Sequence, residues 1–208
     1  VLHPLYDNFG EKISKAVARE NLNINTDEKI ILFFGFIRKY KGLDILLDAL
    51  ATIKALPHTA TVPFKLLIAG EFYEERKDFD DRVKKAGLED WLILHTHFIP
   101  DKEVKNYFCA ADVVIQPYRS ATQSGVTPLA YHFELPMIVT NVGGLPAMVT
   151  DEKTGLIAEP DAVSLAEKIL LFFKKDADVF ISHIIEEKKR YSWQKLVDAI
   201  TKNDILHN

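Results

Sequence analysis

Short apolar runs, separated by longer segments of helical period, are the main pattern along this chain. Six runs are rich in leucine, β-branched and aromatic residues, which is the composition of strands buried on both faces. The predicted strands span residues 29–34, 64–69, 91–94, 113–116, 137–140 and 155–158. Strands of this kind lie within a covered sheet, so we expect helices above and below it.

The segments between the runs have the apolar spacing of helices. One predicted helix presents five apolar residues on a single face: Leu43, Leu46, Leu47, Leu50 and Ile53. Further helices are predicted over residues 74–86, 101–110, 124–133, 161–174, 178–189 and 192–206, with Asp101, Asp161 and Ser192 as N-caps. This alternation predicts an α/β fold, a doubly wound, Rossmann-like parallel sheet of six strands with helices on both faces.

The predicted topology brings two distant loops together. With the common strand order 3-2-1-4-5-6, the ligand crevice lies beyond the carboxyl ends of the first and fourth strands. The loops that meet there are residues 35–42, called the first loop, and residues 118–125, called the second loop. We therefore expect the functional site between these two loops.

The first loop has the composition of an anion site. Its sequence is Gly-Phe-Ile-Arg-Lys-Tyr-Lys-Gly, with three cations between two glycines. Gly35 lets a ligand approach the main chain, and Arg38 and Lys41 suit a diphosphate. Such a loop is more often a solvated turn, but its position at the crevice favours binding. We predict Arg38 and Lys41 as the catalytic cations, with Lys41 the more important.

The second loop, Tyr-Arg-Ser-Ala-Thr-Gln-Ser-Gly, leads into a predicted helix. Free backbone N–H groups and the positive end of the helix dipole form a cradle for phosphate. The predicted ligand-binding residues here are Gln123, Ser124, Gly125, Val126 and Thr127. Capping of the helix by Thr122 or Ser124 is compatible with this role. Neither loop has the glycine spacing of a P-loop or a dinucleotide-binding turn, so nucleotide hydrolysis and nicotinamide chemistry are disfavoured.

Composition narrows the class of protein. The chain has 208 residues, a formal net charge of −4 and one cysteine, Cys109. These features predict a protein of a reducing, cytoplasmic compartment with no nucleic-acid partner, and Cys109 is expected in the core. No apolar run reaches the roughly 20 residues that span a bilayer. The histidines lack metal-site spacing, so no metal is expected, and His95 and His97 are predicted on one face at a strand end.

Four segments together resemble the donor domain of family 4 retaining glycosyltransferases, which have the two-domain GT-B architecture. They are Phe-Phe-Gly-Phe-Ile-Arg-Lys-Tyr-Lys-Gly-Leu at 33–43, Ala-Ala-Asp-Val-Val-Ile-Gln-Pro at 110–117, Gly-Val-Thr-Pro-Leu-Ala at 125–130 and Pro-Met-Ile-Val-Thr-Asn-Val-Gly-Gly-Leu-Pro at 136–146. Their order and spacing fit the family over residues 28 to 200. The resemblance therefore covers most of the chain.

The resemblance implies a division of the chain and a substrate. Residues 1–27 would be an interdomain linker and leading helix, and residues 28–190 the Rossmann-like domain that binds a nucleoside-diphosphate sugar, with base contacts near Phe98 and Ile99. Residues 191–208 would form a helix packing towards an N-terminal acceptor-binding domain. The chain begins with Val1, and we expect a fragment that lacks this acceptor half and is inactive alone. Any peripheral membrane contact of the full-length enzyme would be made by that half, and no metal is required.

Two departures from the family pattern leave alternatives open. Phe36 stands where the family commonly has arginine, which makes Arg38 a displaced substitute. Thr122 and Ala130 stand where the family has a Glu-x7-Glu pair, whose carboxylates face the donor sugar and the ribose. The chain is then a diverged transferase domain, a non-catalytic nucleotide-sugar-binding module, or part of a GT-B-type sugar-nucleotide epimerase. The base, the sugar and the acceptor stay open.

Overall fold

Six parallel strands form a single sheet in the computed structural model, which describes residues 8–25, 27–57 and 63–189. The strands are β1 (Lys29–Phe34), β2 (Phe64–Ala69), β3 (Leu92–His95), β4 (Val113–Gln116), β5 (Met137–Thr140) and β6 (Gly155–Ala158). Their order is β3-β2-β1-β4-β5-β6, so the strand order reverses between β1 and β4. The predicted doubly wound fold and strand order are confirmed.

Helices cover both faces of this sheet. Those in the described part of the chain are α1 (Lys15–Asn21), α2 (Leu43–Lys54), α3 (Lys77–Ala86), α4 (Asp101–Ala110), α5 (Val126–His132), α6 (Ala162–Lys174) and α7 (Ala177–Lys188). Side chains of β1 alternate between two hydrophobic cores. Ile30 and Leu32 face α1, α4 and α5, whereas Ile31 and Phe33 face α2, α3 and α6. Cys109 lies in the first of these cores, as predicted, and burial raises the pKa of its thiol.

Several element ends differ from the predictions. The N-cap of α4 is Pro100 and not Asp101, which is the first helical residue, because Pro100 already has the extended backbone of a cap. Helix α3 starts three residues later than expected because the loop before it pairs with the first loop through Ile37 and Phe72. Asp161 caps α6 as predicted. The helix predicted over residues 192–206, with its cap Ser192, lies outside the described residues.

Glycines bring the two loops into contact. A Cβ added to Gly42, where φ is +67°, would lie 1.9 Å from the carbonyl oxygen of Pro117 at the end of β4. The backbone N–H of Arg119 donates to the carbonyl of Tyr40 at 2.7 Å. A larger residue at Gly42 would separate the loops, so the glycine is required by this close approach.

At the opposite end of the sheet, Asp112 anchors α1. Its carboxylate accepts from the N–H of Ile30 at 2.7 Å and pairs with Lys15 at 2.7 Å and Arg19 at 3.4 Å. This aspartate therefore has a structural role far from the loops.

No helix within residues 8–25, 27–57 and 63–189 has the length and apolar character needed to cross a membrane.

Candidate functional site

A cleft of about 410 Å³ opens at the carboxyl ends of the strands, where the sheet order reverses. The first and second loops form two of its walls, and residues following β2 and β3 form the others. The predicted meeting of the two loops is thus confirmed. Eight predicted site residues line this cleft: Gly35, Lys41, Phe98, Ile99, Gln123, Ser124, Gly125 and Val126.

Lys41 is the most unusual charge in the cleft. It is only 9% exposed, and among the described residues its ammonium forms neither an ion pair nor a hydrogen bond. The Lys41 Nζ lies 5.6 Å from the ring centroid of Tyr118, and a Cβ added to Gly35 would lie 2.8 Å from it. The absence of a side chain at Gly35 therefore leaves the space that the ammonium occupies.

Burial lowers the pKa of Lys41 to about 8, and the nearby positive charge of Arg38 adds to this effect. An ammonium that is desolvated without an anionic partner is held in an unfavourable environment. A bound anion would provide the missing partner. The electrostatics of the cleft thus favour a negatively charged ligand.

The second loop also brings backbone donors to the cleft. The N–H groups of Gln123, Ser124 and Gly125 donate to no other group within the described residues. A Cβ added to Gly125 would meet nothing within 4 Å, although its φ of −67° suits any residue. The absence of a side chain at Gly125 therefore leaves space free beside these donors. Its backbone conformation does not require glycine.

The shape of the second loop is fixed by close backbone contacts with the loop after β5. A Cβ added to Gly143, where φ is +52°, would lie 1.4 Å from the carbonyl oxygen of Ala121. A Cβ on Gly144 would lie 2.2 Å from the carbonyl oxygen of Thr122. The two glycines of the Gly-Gly-Leu-Pro motif thus allow a close approach that positions the second loop.

Neither of the two predicted capping residues, Thr122 and Ser124, is the N-cap of α5, because that position is Gly125, one residue after Ser124. The Ser124 hydroxyl accepts from the N–H of Val126 at 3.2 Å and lies 3.2 Å from the phenol oxygen of Tyr118. Burial raises the pKa of Tyr118 to about 12, although the hydrogen bond with Ser124 acts in the opposite direction. The Tyr118 phenol therefore keeps its proton at physiological pH and is able to donate to Ser124.

Two predicted site residues do not line the cleft. The Arg38 guanidinium lies 4.6 Å from the ring centroid of Tyr73 and lines a neighbouring cavity of about 430 Å³ on the other side of the first loop. Thr127 is buried, and its hydroxyl exchanges hydrogen bonds with the side-chain amide of Gln116 at 3.1 and 3.2 Å. Its hydroxyl therefore joins α5 to the end of β4.

The cleft also contains functional groups that were not assigned from the sequence. The carboxylates of Glu71 and Asp101 line it, together with the exposed aromatic side chains of Phe36 and Tyr40. Gly70 and Glu71 follow β2 as Gly35 and Phe36 follow β1, so the edge rule that located the first loop could also have found this carboxylate. The polar lining of the cleft thus extends beyond the two loops.

The two histidines at the end of β3 have different surroundings. The Nδ1 of His95 lies 3.1 Å from the phenol oxygen of Tyr107, whereas His97 lines the cleft. Burial, followed by the charge of His97, lowers the pKa of His95.

Within residues 8–25, 27–57 and 63–189, no three acidic, histidine or cysteine side chains are grouped as a metal site would require.

Neither position of the Glu-x7-Glu pattern supplies a carboxylate to the cleft. Thr122 is exposed on the second loop, and Ala130 is fully buried in the hydrophobic core beneath α5. A carboxylate that contacts a ligand in the cleft must therefore come from another residue, and Glu71 lines the same space.

Comparison with known proteins identifies the family. The chain matches the family described as Glycosyl transferases group 1 over residues 14–201. Because this match spans most of the sequence, the chain belongs to that family. It is 28% identical over 200 residues to the D-inositol 3-phosphate glycosyltransferase of Saccharomonospora viridis, covering 90% of this chain and 45% of that protein. The chain spans about half the length of the curated relatives it matches.

Two solved structures show the likeness of fold. The C-terminal domain of a glycosyl transferase group 1 family protein from Francisella tularensis has a TM-score of 0.73 and 20% identity, over 89% of this chain and 97% of that one. Anabaena HepE in complex with UDP-glucose has a TM-score of 0.75 and 19% identity, over 95% of this chain and 57% of HepE. The chain thus shares the Rossmann-like fold of GT-B glycosyltransferases.

Proposed function

We infer that this chain is the donor-binding domain of a retaining glycosyltransferase that transfers a sugar from a nucleoside-diphosphate sugar to a glycan, lipid or small acceptor. The main supporting observation is the unpaired ammonium of Lys41, a residue that is only 9% exposed. It lies in a cleft that also contains the free N–H groups of the second loop. A diphosphate would pair with the ammonium and accept from these donors.

The same groups suit the chemistry of sugar transfer. As the bond between the sugar and the diphosphate breaks, negative charge grows on the leaving diphosphate. Fixed donors and a cation in a partly dry cleft stabilise that charge more in the transition state than in the ground state. Lys41 would provide the cation, and the N–H groups of Ser124 and Gly125 would act as the fixed donors.

The acceptor side of the reaction belongs to another part of the enzyme in this proposal. The curated relatives are about twice as long as the matched region, and one similar structure is described as a C-terminal domain. We therefore expect the 208-residue chain to bind donor without turning it over. The complex of HepE with UDP-glucose supports a nucleotide sugar as the donor class.

A non-catalytic nucleotide-sugar-binding module is the second candidate, and the absence of carboxylates at Thr122 and Ala130 favours it. It predicts donor binding without transfer even when the acceptor-binding half is present. Transfer of labelled sugar by the full-length protein, in the presence of a mixture of acceptors, separates the two candidates. Labelled product supports the transferase and excludes the non-catalytic module.

Calorimetry with the 208-residue chain tests the binding site itself. UDP, GDP and ADP are each compared with their nucleosides, and we expect at least one diphosphate to bind more tightly than its nucleoside. Gly125→Val should weaken that diphosphate by about tenfold or more, because the new side chain fills the free space beside the N–H donors. Its melting temperature should stay close to that of the wild type, since Gly125 has an ordinary helical φ.

Ser120→Val is the matched control, because Ser120 is an exposed residue of the same loop that does not line the cleft. It should leave affinity unchanged. Equal affinity of every diphosphate and its nucleoside for the wild type would contradict the proposed site, as would unchanged diphosphate binding by Gly125→Val.

A further inference from the structure

One buried side chain, Tyr118, contacts both halves of the cleft. Tyr118 is 3% exposed and lies two residues beyond the end of β4. Its phenol oxygen lies 3.2 Å from the Oγ of Ser124, and its ring centroid lies 5.6 Å from the Nζ of Lys41. Lys41 of the first loop and Ser124 of the second loop therefore share Tyr118 as a neighbour, even without a ligand.

The hydrogen bonds of Ser124 give the phenol a specific role. A serine hydroxyl has one O–H donor and two acceptor lone pairs. The N–H of Val126 already donates to this oxygen at 3.2 Å. If the phenol of Tyr118 donates to the second lone pair, the serine O–H is the remaining hydrogen-bonding group, and Ser124 lines the cleft. A diphosphate oxygen, which can only accept, favours this arrangement.

Tyr118 is itself held in place from two sides. The hydroxyl of Thr140, at the end of β5, donates to the Tyr118 carbonyl at 2.6 Å. The ring of Tyr40 packs edge-on against the Tyr118 ring with centroids 5.9 Å apart. A phenol fixed in this way can orient its partner before the ligand arrives, which reduces the cost of ordering on binding.

We propose that Tyr118 is a positioning residue that directs the Ser124 hydroxyl into the cleft as a donor to the diphosphate, while its ring supports the ammonium of Lys41. The proposal rests on the proposed function, since it requires that the cleft binds a nucleoside diphosphate. Tyr118 also lines the cleft, and in this arrangement its hydroxyl acts through Ser124.

A double-mutant cycle tests this arrangement in the 208-residue chain. The probe is whichever of UDP, GDP and ADP binds the wild type most tightly, measured by calorimetry alongside its nucleoside. Tyr118→Phe should weaken diphosphate binding by about threefold to tenfold, which corresponds to one net hydrogen bond. Ser124→Ala should weaken it by about tenfold, because a donor to a charged oxygen is lost. Affinity for the nucleoside should not change in either variant.

The double variant carries the main result. Because the phenol acts through the serine, Tyr118→Phe combined with Ser124→Ala should bind the diphosphate as Ser124→Ala does, within about twofold. Multiplied effects would overturn the proposal, and so would wild-type affinity in Tyr118→Phe. Tyr131→Phe is the control. It removes a buried phenol that donates to the Met148 carbonyl at 2.7 Å, and Tyr131 does not line the cleft.

A second pair of variants covers the case in which Tyr118→Phe does not fold. Ser124→Thr keeps the hydroxyl, whereas Ser124→Val has nearly the same shape without it. Threonine should retain diphosphate affinity and valine should lose about tenfold; equal affinities would overturn the proposal. If none of the three diphosphates binds the wild type, the proposed function itself fails. If a diphosphate binds but its affinity is insensitive to these hydroxyls, only the role of Tyr118 and Ser124 fails.

Discussion

The cleft and the neighbouring cavity lie on opposite sides of the first loop, and they differ in how their charges are satisfied. Two side chains that line the neighbouring cavity have ion-pair partners: one nitrogen of Arg82 lies 2.5 and 2.7 Å from the two carboxylate oxygens of Asp48, and Asp44 pairs with Arg119 at 2.5 Å. In the cleft, Lys41 is more deeply buried and has no anionic partner within the described residues. The two cavities have similar volumes, so size alone does not distinguish them.

This difference is the one expected between a surface ion-pair network and the proposed binding site. Half-exposed pairs such as Arg82 with Asp48 contribute about 0–1 kcal/mol each and need no ligand to explain them. A buried cation without a partner is costly in the empty protein, so its position is best explained by a ligand that completes it. The following predictions test that distinction, from the largest expected effect to the smallest.

Removing the charge of Lys41 should have the largest effect. Lys41→Met keeps the length of the side chain and loses the ammonium, so diphosphate affinity should fall by about tenfold to a hundredfold. Binding of the nucleoside should stay the same, because it has no phosphate. Calorimetry of the diphosphate and its nucleoside measures both.

Arg82→Met in the neighbouring cavity is the matched control for Lys41→Met. It breaks the pair with Asp48, yet it should leave the affinity within about twofold because the pair is half exposed and lies outside the cleft. A loss of affinity in Arg82→Met equal to that in Lys41→Met would remove the distinction between the two cavities.

The second prediction concerns pH. Because burial lowers the pKa of Lys41 to about 8, its charged fraction in the empty cleft falls steeply between pH 7 and pH 9. A diphosphate requires the charged form, so its affinity should fall by about tenfold over this range. In Lys41→Met the affinity should be low and nearly independent of pH. A wild-type affinity that is flat from pH 7 to pH 9 would show that the cleft does not lower the pKa of Lys41.

The same pKa predicts an opposite trend for folding. The folded pKa of Lys41 lies below its ordinary value of 10.5, so the unfolded chain binds more protons between pH 8 and 10.5. The contribution of Lys41 to the stability of the empty protein should therefore increase as pH rises through this window. Urea unfolding of the wild type, compared with Lys41→Met, measures this contribution.

Most of the fold could be predicted from the sequence because strands buried on both faces consist of short apolar runs. The run at 137–140 is β5 without adjustment, and β3 differs from its predicted span by one residue at each end. Helix starts were harder to predict because they depend on contacts between distant segments. The start of α3 is set by the pairing of Ile37 with Phe72, which no local pattern contains.

The site was predictable only as far as the backbone determines it. The edge rule placed both loops together, and Gly42, which allows their contact, is visible in the sequence. The Gly-Gly of residues 143–144, which packs against the second loop, is visible there too. Side-chain direction was not visible. Thr127 turns towards Gln116, and Tyr118 reaches Ser124, because of packing that forms only when α5 meets β4. The roles of individual side chains therefore had to come from the structure.

Arg38 should have the smallest effect, and it is the residue for which the sequence and the structure give different expectations. Its guanidinium lies 4.6 Å from the Tyr73 ring centroid and lines the neighbouring cavity, so Arg38→Ala should change diphosphate affinity at pH 7 by less than about threefold. Its positive charge lowers the pKa of Lys41, so its removal should raise that pKa. Arg38→Ala should therefore lose less affinity than the wild type between pH 7 and pH 9.

Arg38→Lys separates the charge of Arg38 from its planar contact with Tyr73. It keeps the positive charge, so its affinity should depend on pH as that of the wild type does, even though the stacked guanidinium is lost. A fall of tenfold or more at pH 7 in Arg38→Ala would instead mean that Arg38 reaches the ligand across the first loop, as the composition of that loop suggested. In that case the two cavities would act as one site, because a cation that lines the neighbouring cavity would contribute directly to binding in the cleft.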